Sequence, residues 1–392
     1  MVKVFFVAGS CPNRKGMNKM QQILALFENV TQLTWQQGVM WLIGAVLIYL
    51  GIRKKMEPTL LVPMGFGAIL VNLPNSGAVT QGEEIGAIDV LFNAGIANEL
   101  FPLLLFIGIG AMIDFTPLLS NPKMMLFGGA AQFGIFFTLS MACLLGFDLK
   151  DAASIGIIGA ADGPTSIFVA NFLGSKYVGA IVVAAYSYMA LVPIVQPPVI
   201  KLITTKKERL IRMPYRQRPV SKTAKILFPI VITMLAGLVA PKSVALVGFL
   251  MFGNLVRECG VLDSLSDTAQ KVLANLITLL LGLTIATKMQ AEFFLTWETI
   301  LIMCLGLVAF VFDTVGGVLF AKLINLFTPH NKINPMVGAA GISAFPMSAR
   351  VVNRLGLEED PENFLLMHAI GANVSGQIAS VIAGGLILTL VH

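Results

Sequence analysis

DAASIGIIGAADGPTSIFVANFL, residues 151–173, is an apolar run long enough to cross a bilayer, yet Gly159, Asp162, Gly163 and Pro164 stand at its centre. Glycine there permits unusual backbone angles, and proline removes a helix hydrogen bond. A carboxylate at mid-bilayer costs about 2.5–3.5 kcal/mol on insertion scales, so it is kept only where it has a use. Non-helical backbone at membrane depth is tolerated only where it is buried in protein or lines a cavity. The stretch therefore reads as an interrupted helix that does not simply span, and it sets the frame for the rest of the chain.

The flanking sequence is apolar almost throughout. Of 392 residues, 56% are hydrophobic and 12% charged, and the mean hydropathy is +0.82. Soluble domains are about 25% charged, so an ordinary soluble enzyme, a disordered chain and a disulfide scaffold are all excluded. The runs do not alternate in the way a β-barrel requires. The class is an all-α polytopic membrane protein. Candidate membrane segments fall at 37–52, 58–74, 99–113, 123–146, 151–173, 177–204, 226–240, 243–257, 270–288, 298–326, 333–351 and 364–391.

The net charge of +6 is concentrated in TKKERLIRMPYRQRPVSKTAK, 205–225, which holds eight Lys/Arg and one Glu. By the positive-inside rule this is a cytoplasmic linker, and Arg53, Lys54 and Lys55 mark a second cytoplasmic loop. Five apolar segments separate the two loops. An odd number of crossings cannot return the chain to the same side, so 151–173 is expected to dip in from the outer face. In the second half, 333–351 has a similar Gly/Pro-broken pattern and is expected to dip in from the cytoplasmic face. The expected organisation is an N-terminal extension (1–35), a first membrane half (36–204), the linker (205–225) and a second half (226–392). The halves would be of inverted topology, with broken helices near the midplane. Residues 1–16, MVKVFFVAGSCPNRKG, read either as a short signal-like stretch or as the product of a start upstream of Met17 or Met20. Lys3, Arg14, Lys15 and Lys19 leave the orientation of the first span open.

The residues able to carry chemistry are few. Asp162 in GAADGPTSIF (159–168), with the Thr165 and Ser166 hydroxyls and freed carbonyls, offers hard oxygen ligands suited to Na+ or H+. The plainer alternative is a helix N-cap followed by proline in the first turn. Arg350 ends GISAFPMSAR (341–350), where Ser343 and Ser348 precede it, and a guanidinium suits bidentate binding of a carboxylate. A snorkelling interfacial arginine is the competing reading. Asn373, Ser375 and Gln377 lie in HAIGANVSGQIAS (368–380) among small residues, which serves either an ion site or helix packing. Asp313 in FVFDTVGGVLFAK (310–322) could pair with Arg350 or line a pathway. Asp114, in AMIDF near a helix end, is read as a cap or an interface residue. Tyr186 and Tyr188 place phenols in mid-segment, where each needs a partner. Cys11, Cys143, Cys259 and Cys304, and His330, His368 and His392, are too dispersed for a disulfide or metal framework. There is no Walker A motif, dinucleotide fingerprint, Arg ladder or K+-filter sequence, and no aromatic–basic interleaving for nucleic acid. ATKM (286–289) ends an apolar segment and is not read as a biotin acceptor.

GAADGPTSIF, AAYSYMALVPIVQPP (184–198), NPMVGAAGISAFPMSAR (334–350) and HAIGANVSGQ, in this order and spacing, resemble the β subunit of the sodium-ion-translocating decarboxylases that act on oxaloacetate, methylmalonyl-CoA or glutaconyl-CoA. The similarity runs from about Trp35 to the C-terminus. It implies a multi-pass subunit of a bacterial or archaeal plasma membrane. Such a subunit decarboxylates carboxybiotin, consumes a proton from the periplasmic side and drives Na+ outward. Biotin would reside on a partner. The implied partners are biotin carrier and carboxyltransferase subunits and a small membrane-anchoring subunit, with a homo-oligomer possible. Motif by motif, the resemblance assigns Asp162, Asn373 and Ser343 to Na+, and Tyr188 to ion or proton passage. It places Arg350 near carboxybiotin, with Asn334 and Gly338 on the same polar face. Residues 75–98 are compact, as in the CoA-ester members. The rival reading is a secondary transporter, a Na+/carboxylate carrier or Na+/H+ antiporter, which would not depend on a biotinylated partner. A passive anchor would have no use for Asp162 and Asn373.

Overall fold

The computed structural model describes residues 32–55, 57–81, 84–214, 219–328 and 332–391, so the expectations for the first 31 residues fall outside it. Among the described residues six helices are long and apolar enough to cross a membrane, and eight if two sharply bent pairs each count as one span. Among them there is no strand beyond an isolated bridge between Gln81 and Glu84.

The first half contains α1 (Trp35–Lys54), α2 (Pro58–Val71), α3 (Ala87–Gly95) with α4 (Leu100–Met112), and α5 (Pro122–Leu144). It continues with α6 (Leu149–Gly156), α7 (Gly163–Phe172) and α8 (Val178–Ile203). The second half follows the same succession. It has α9 (Lys222–Val239), α10 (Val244–Glu258), α11 (Asp263–Met289) and α12 (Trp297–Phe327), then α13 (Met336–Ala339), α14 (Met347–Glu359) and α15 (Leu366–Val391). The packing repeats as well. The α2 helix lies on α11 and its counterpart α10 on α4, while α8 lies on α12 and α15 on α5. Likewise α7 packs on α8 and α15, and α14 on α15 and α8. Each half completes the other's core, and α5 crosses α12 at the centre.

Both interrupted segments are hairpins whose two ends meet. At the first, Ser175 Oγ, just past α7, donates to Asp151 Oδ1 at the start of α6 (2.7 Å). At the second, Asn334 Nδ2 donates to the carbonyls of Arg209 and Ile211 (2.8 and 2.9 Å). Just past α14, Asn363 Nδ2 also reaches the Arg209 carbonyl (2.9 Å). The α8 helix, 26 residues bent by 68° between its Val178–Met189 and Leu191–Ile203 parts, joins one pair of ends to the other. The two hairpins therefore enter from opposite ends of the bundle.

Two details differ from expectation. The second broken segment does not stop at residue 351, because α14 continues to Glu359. VVNRLGLEE is amphipathic, and its buried Val351, Val352 and Leu355 keep it helical while Arg354 and Glu358 face out. The stretch 75–98 also contains a helix, α3, whose Asp89 lies in the first turn where the helix dipole favours an acid. The basic linker is docked against the second hairpin. Arg209 Nε lies 2.6 Å from Glu359 Oε1, and Arg212 pairs with Asp360 (2.6 Å), holding that carboxyl below the ordinary aspartate range.

Gly338 of α13 and Gly317 of α12 cross so closely that a Cβ on either would overlap the other's backbone carbonyl. Neither partner can rotate away as a side chain would. Gly338→Val is expected to destabilise the chain by at least the roughly 1–3 kcal/mol typical of overpacking, seen as a lowered melting temperature in detergent. An unchanged melting temperature would show that the crossing can open without cost.

Candidate functional site

The two hairpin breaks meet in the middle of the bundle. The α6 helix tightens into a 3-10 turn over Ile157–Ala160, and Ala161 takes a left-handed conformation at φ 52°. Asp162 is then extended, and the chain re-enters a helix at Gly163–Pro164. Proline there sacrifices no bond, since first-turn amides have no helical partner. Gly163 is required by contact, because a Cβ would overlap the Tyr186 ring. In the second hairpin the break lies between α13 and α14, at Ala340–Pro346. Ser343 joins the two, its Oγ and N donating to the Ala160 carbonyl at 2.6 and 3.2 Å.

One face of α15 runs across both breaks. Asn373, Gln377 and Ser380 are spaced four and three residues apart, which stacks them on a single helix face. Asn373 Nδ2 donates to the Ile342 carbonyl (2.7 Å) and Gln377 Nε2 to the Ser343 carbonyl. Ser380 Oγ reaches Asp162 Oδ2 at 3.4 Å. From the symmetric position on α8, Gln196 Nε2, together with the Ser348 hydroxyl of α14, holds the Ala339 carbonyl.

Asp162 is 4% exposed. Its Oδ2 accepts from Thr165 Oγ1 at 2.6 Å, and its backbone carbonyl accepts from the Ser166 amide (3.0 Å) and hydroxyl (2.9 Å). It occupies the N-cap position of α7, but its carboxylate engages hydroxyls and not the first-turn amides, so the capping reading accounts for it only in part. Two buried oxygens close by, Asn373 Oδ1 and Tyr186 Oη, have no hydrogen-bond partner among the described residues. Leaving such groups unsatisfied costs about 1–3 kcal/mol each, a penalty a passing cation or proton would relieve. A cavity of about 370 Å³ opens beside Asp162 and Tyr186. Its wall carries Asp162, Tyr186, Ser343, Gln377, Asn275 and Thr278, and it reaches Glu57 in the loop between α1 and α2.

Arg350 lies one turn beyond Pro346 on α14, outside that cavity and exposed. With Asn353, Arg354 and Leu357, on one face of α14, it lines a separate surface cleft of about 400 Å³. Arg350 stands one turn beyond Pro346, which lines the cavity, so the cleft and the cavity are neighbours along α14. Burial pushes the Glu57 carboxyl above its ordinary range, and the Arg350 guanidinium opposes that push.

The structure thus assembles Asp162, Ser343 and Asn373, and adds Thr165, Gln377 and Tyr186 from the quoted motifs. It does not bring the other candidates to this point. Tyr188 points the opposite way along α8, its hydroxyl bonded to the Met303 carbonyl and its ring against Gly306. Asn334 uses both amide hydrogens on the linker, and Gly338 is sealed beneath α12. Asp313 does not pair with Arg350. It is buried, and its Oδ1 accepts from the Ile135 amide of α5 (3.2 Å). Asp114 caps the turn after α4, accepting from the Thr116 amide. Ser375 turns away to the Met124 carbonyl. Among the described residues no cluster of three His, Cys, Asp or Glu could hold a resident metal ion. Glu57, Asn275 and Thr278 were not singled out from sequence. Glu57 sits in RKKMEP, where a lone acid beside three basic residues looks like surface charge. The only hint is the proline that follows it, the mark of a helix start.

Residues 36–391 match the family described as the Na+-transporting oxaloacetate decarboxylase beta subunit. The chain belongs to this family. It is 51% identical to the glutaconyl-CoA decarboxylase subunit beta of Acidaminococcus fermentans over 358 residues, covering 91% of this chain and 94% of that one. It is 50% identical to the methylmalonyl-CoA decarboxylase subunit beta of Veillonella parvula, with the same coverage. To the oxaloacetate decarboxylase beta chain of Klebsiella pneumoniae it is 44% identical, covering 91% of this chain and 95% of that one. That last alignment runs over 413 positions for the same share of this chain, so the oxaloacetate-type relative carries additional sequence. Family members are membrane subunits of sodium-transporting decarboxylases, and the apolar helices and buried oxygen cluster of this chain agree with that role.

Proposed function

We propose that this chain is the subunit at which carboxybiotin, brought by a partner, loses CO2 while Na+ moves from the cytoplasm to the outer face of a bacterial plasma membrane. The N–CO2⁻ bond breaks, its electron pair remains on the biotin nitrogen, and a proton drawn from the outer face protonates that nitrogen. The observation that carries the reading is the meeting of Asp162, Ser343 and the unsatisfied Asn373 Oδ1 at the crossing of two opposed hairpins. Opposed broken helices meeting at a central polar site are the arrangement that alternating access uses.

In this reading Asp162, Asn373 and Ser343 hold Na+, with Thr165 and Gln377 fixing their oxygens. Arg350 receives the carboxylate in the cleft. Passing it towards the drier wall at Phe345 and Pro346 strips its hydration and favours loss of CO2. Tyr188, Asn334 and Gly338 support the path by holding Met303, the linker and α12 in place. The working partners are a biotin carrier, a carboxyltransferase and a small membrane-anchoring subunit, with assembly of copies of this chain. The compact stretch 75–98 and the shorter alignment to the glutaconyl-CoA and methylmalonyl-CoA relatives favour a CoA-ester substrate for the complex.

The test is ²²Na⁺ uptake into proteoliposomes holding the complex purified with this chain. Uptake should require a decarboxylase substrate and stop when avidin captures biotin. Uptake indifferent to avidin and driven by a gradient alone would make the chain a secondary transporter.

A further inference from the structure

Glu57 is the one acid other than Asp162 on the wall of the cavity, among the described residues. It takes a left-handed conformation (φ 37°) at the N-cap of α2, a strained backbone for a residue with a side chain. Pro58 behind it fixes the helix start. Its side chain lines the same cavity as Asp162, while the Arg350 guanidinium acts on its carboxylate from the cleft side. No hydrogen bond or ion pair within 4 Å holds that carboxylate among the described residues. Arg350 likewise has no bonded acidic partner there; the acid of its own helix face, Glu358, is taken by Lys201 and Arg354. Pro346 lines the same cavity as Glu57, and Arg350 stands one turn beyond Pro346 on α14, so the two opposite charges are neighbours that are not bonded to each other. The cavity wall itself carries two carboxylates, Glu57 and Asp162, and no Lys or Arg, so it favours a cation.

We propose that Glu57 is the charge that couples the two compartments, a positioning residue for Na+ entry. With the cleft empty, its carboxylate is balanced by Arg350. When a carboxylate docks on Arg350, that balance is taken over, and Glu57 becomes free to draw Na+ into the cavity towards Asp162. Anion arrival and cation entry are thereby linked through one side chain, and linkage of this kind is reciprocal. The inference rests on the Na+ site and carboxylate cleft proposed above.

The experiment measures the Na+ concentration that half-protects the substrate-free purified complex from trypsin, in a double-mutant cycle. Glu57→Gln should raise that concentration about fivefold, the lower end of coupling between sites. Arg350→Ala should lower it by a similar factor in the wild-type background, by releasing Glu57, and should change nothing once Glu57 is Gln. Glu57→Asp keeps the charge and should stay near wild type, which separates loss of charge from damage to the helix start. An Arg350→Ala shift of equal size in both backgrounds, or unchanged protection in Glu57→Gln, overturns the proposal. Failure of the underlying Na+ site shows separately, as protection that survives in Asp162→Asn.

Discussion

Asp162→Asn is expected to suppress the response of the decarboxylase to Na+ and the Na+-dependent protection of the chain from proteolysis at Na+ concentrations that saturate the unsubstituted protein. The amide keeps the size of the side chain and can still accept from Thr165 Oγ1, now 2.6 Å from Oδ2, so the hairpin keeps its shape. What is lost is the negative charge. A charge-assisted contact contributes roughly 1.5–3 kcal/mol, which corresponds to about 10- to 150-fold weaker Na+ binding. The backbone break at Ala161–Gly163 does not depend on that charge, since it is fixed by Pro164 and by the Gly163–Tyr186 contact. The variant should accordingly assemble normally while its Na+ activation curve flattens. A normal activation curve would move the ion site away from the hairpin crossing.

Arg350→Ala has the second large effect, and its signature is different. The guanidinium is exposed on α14 and has no bonded acidic partner among the described residues, so its removal leaves no buried charge behind. Decarboxylation of carboxybiotin should fall about 10- to 150-fold, on the same scale of 1.5–3 kcal/mol for a charge-assisted contact. Arg350→Lys should recover little of it, because an ammonium cannot make the paired, planar contact of a guanidinium with a carboxylate. Na+ protection of the substrate-free complex should survive, since Asp162 and Asn373 keep every bond they make. Full decarboxylation in Arg350→Ala would remove the carboxylate-holding role from the cleft.

Much of the frame was legible beforehand because membrane depth imposes severe rules on sequence. Asp162 between glycines and a proline has few physical explanations in an apolar run, and the parity of crossings required one segment to turn back. The bond between Ser175 and Asp151 brings the two ends of that segment together. Asn373, Gln377 and Ser380 follow helical spacing and could be placed on one face without coordinates. The helix extension to Glu359 was not visible, because charged residues end an apolar segment while leaving an amphipathic helix free to continue.

The sequence by itself determined the class of the protein, the two interrupted segments and the family. Each of these depends on composition or on neighbours a few residues apart. Only the tertiary structure decided which polar groups share a site. Tyr186 and Tyr188 are two residues apart, so on a helix they point in widely different directions. One meets Gly163 at the cavity and the other the Met303 carbonyl. Asp313 faces α5 and not Arg350, because the crossing of α5 and α12 fixes which side of α12 is enclosed. Glu57 lies 105 positions from Asp162 in the chain, and nothing local distinguishes it from surface charge. It joins the cavity only because α2 is packed against α11, a contact made across the two halves.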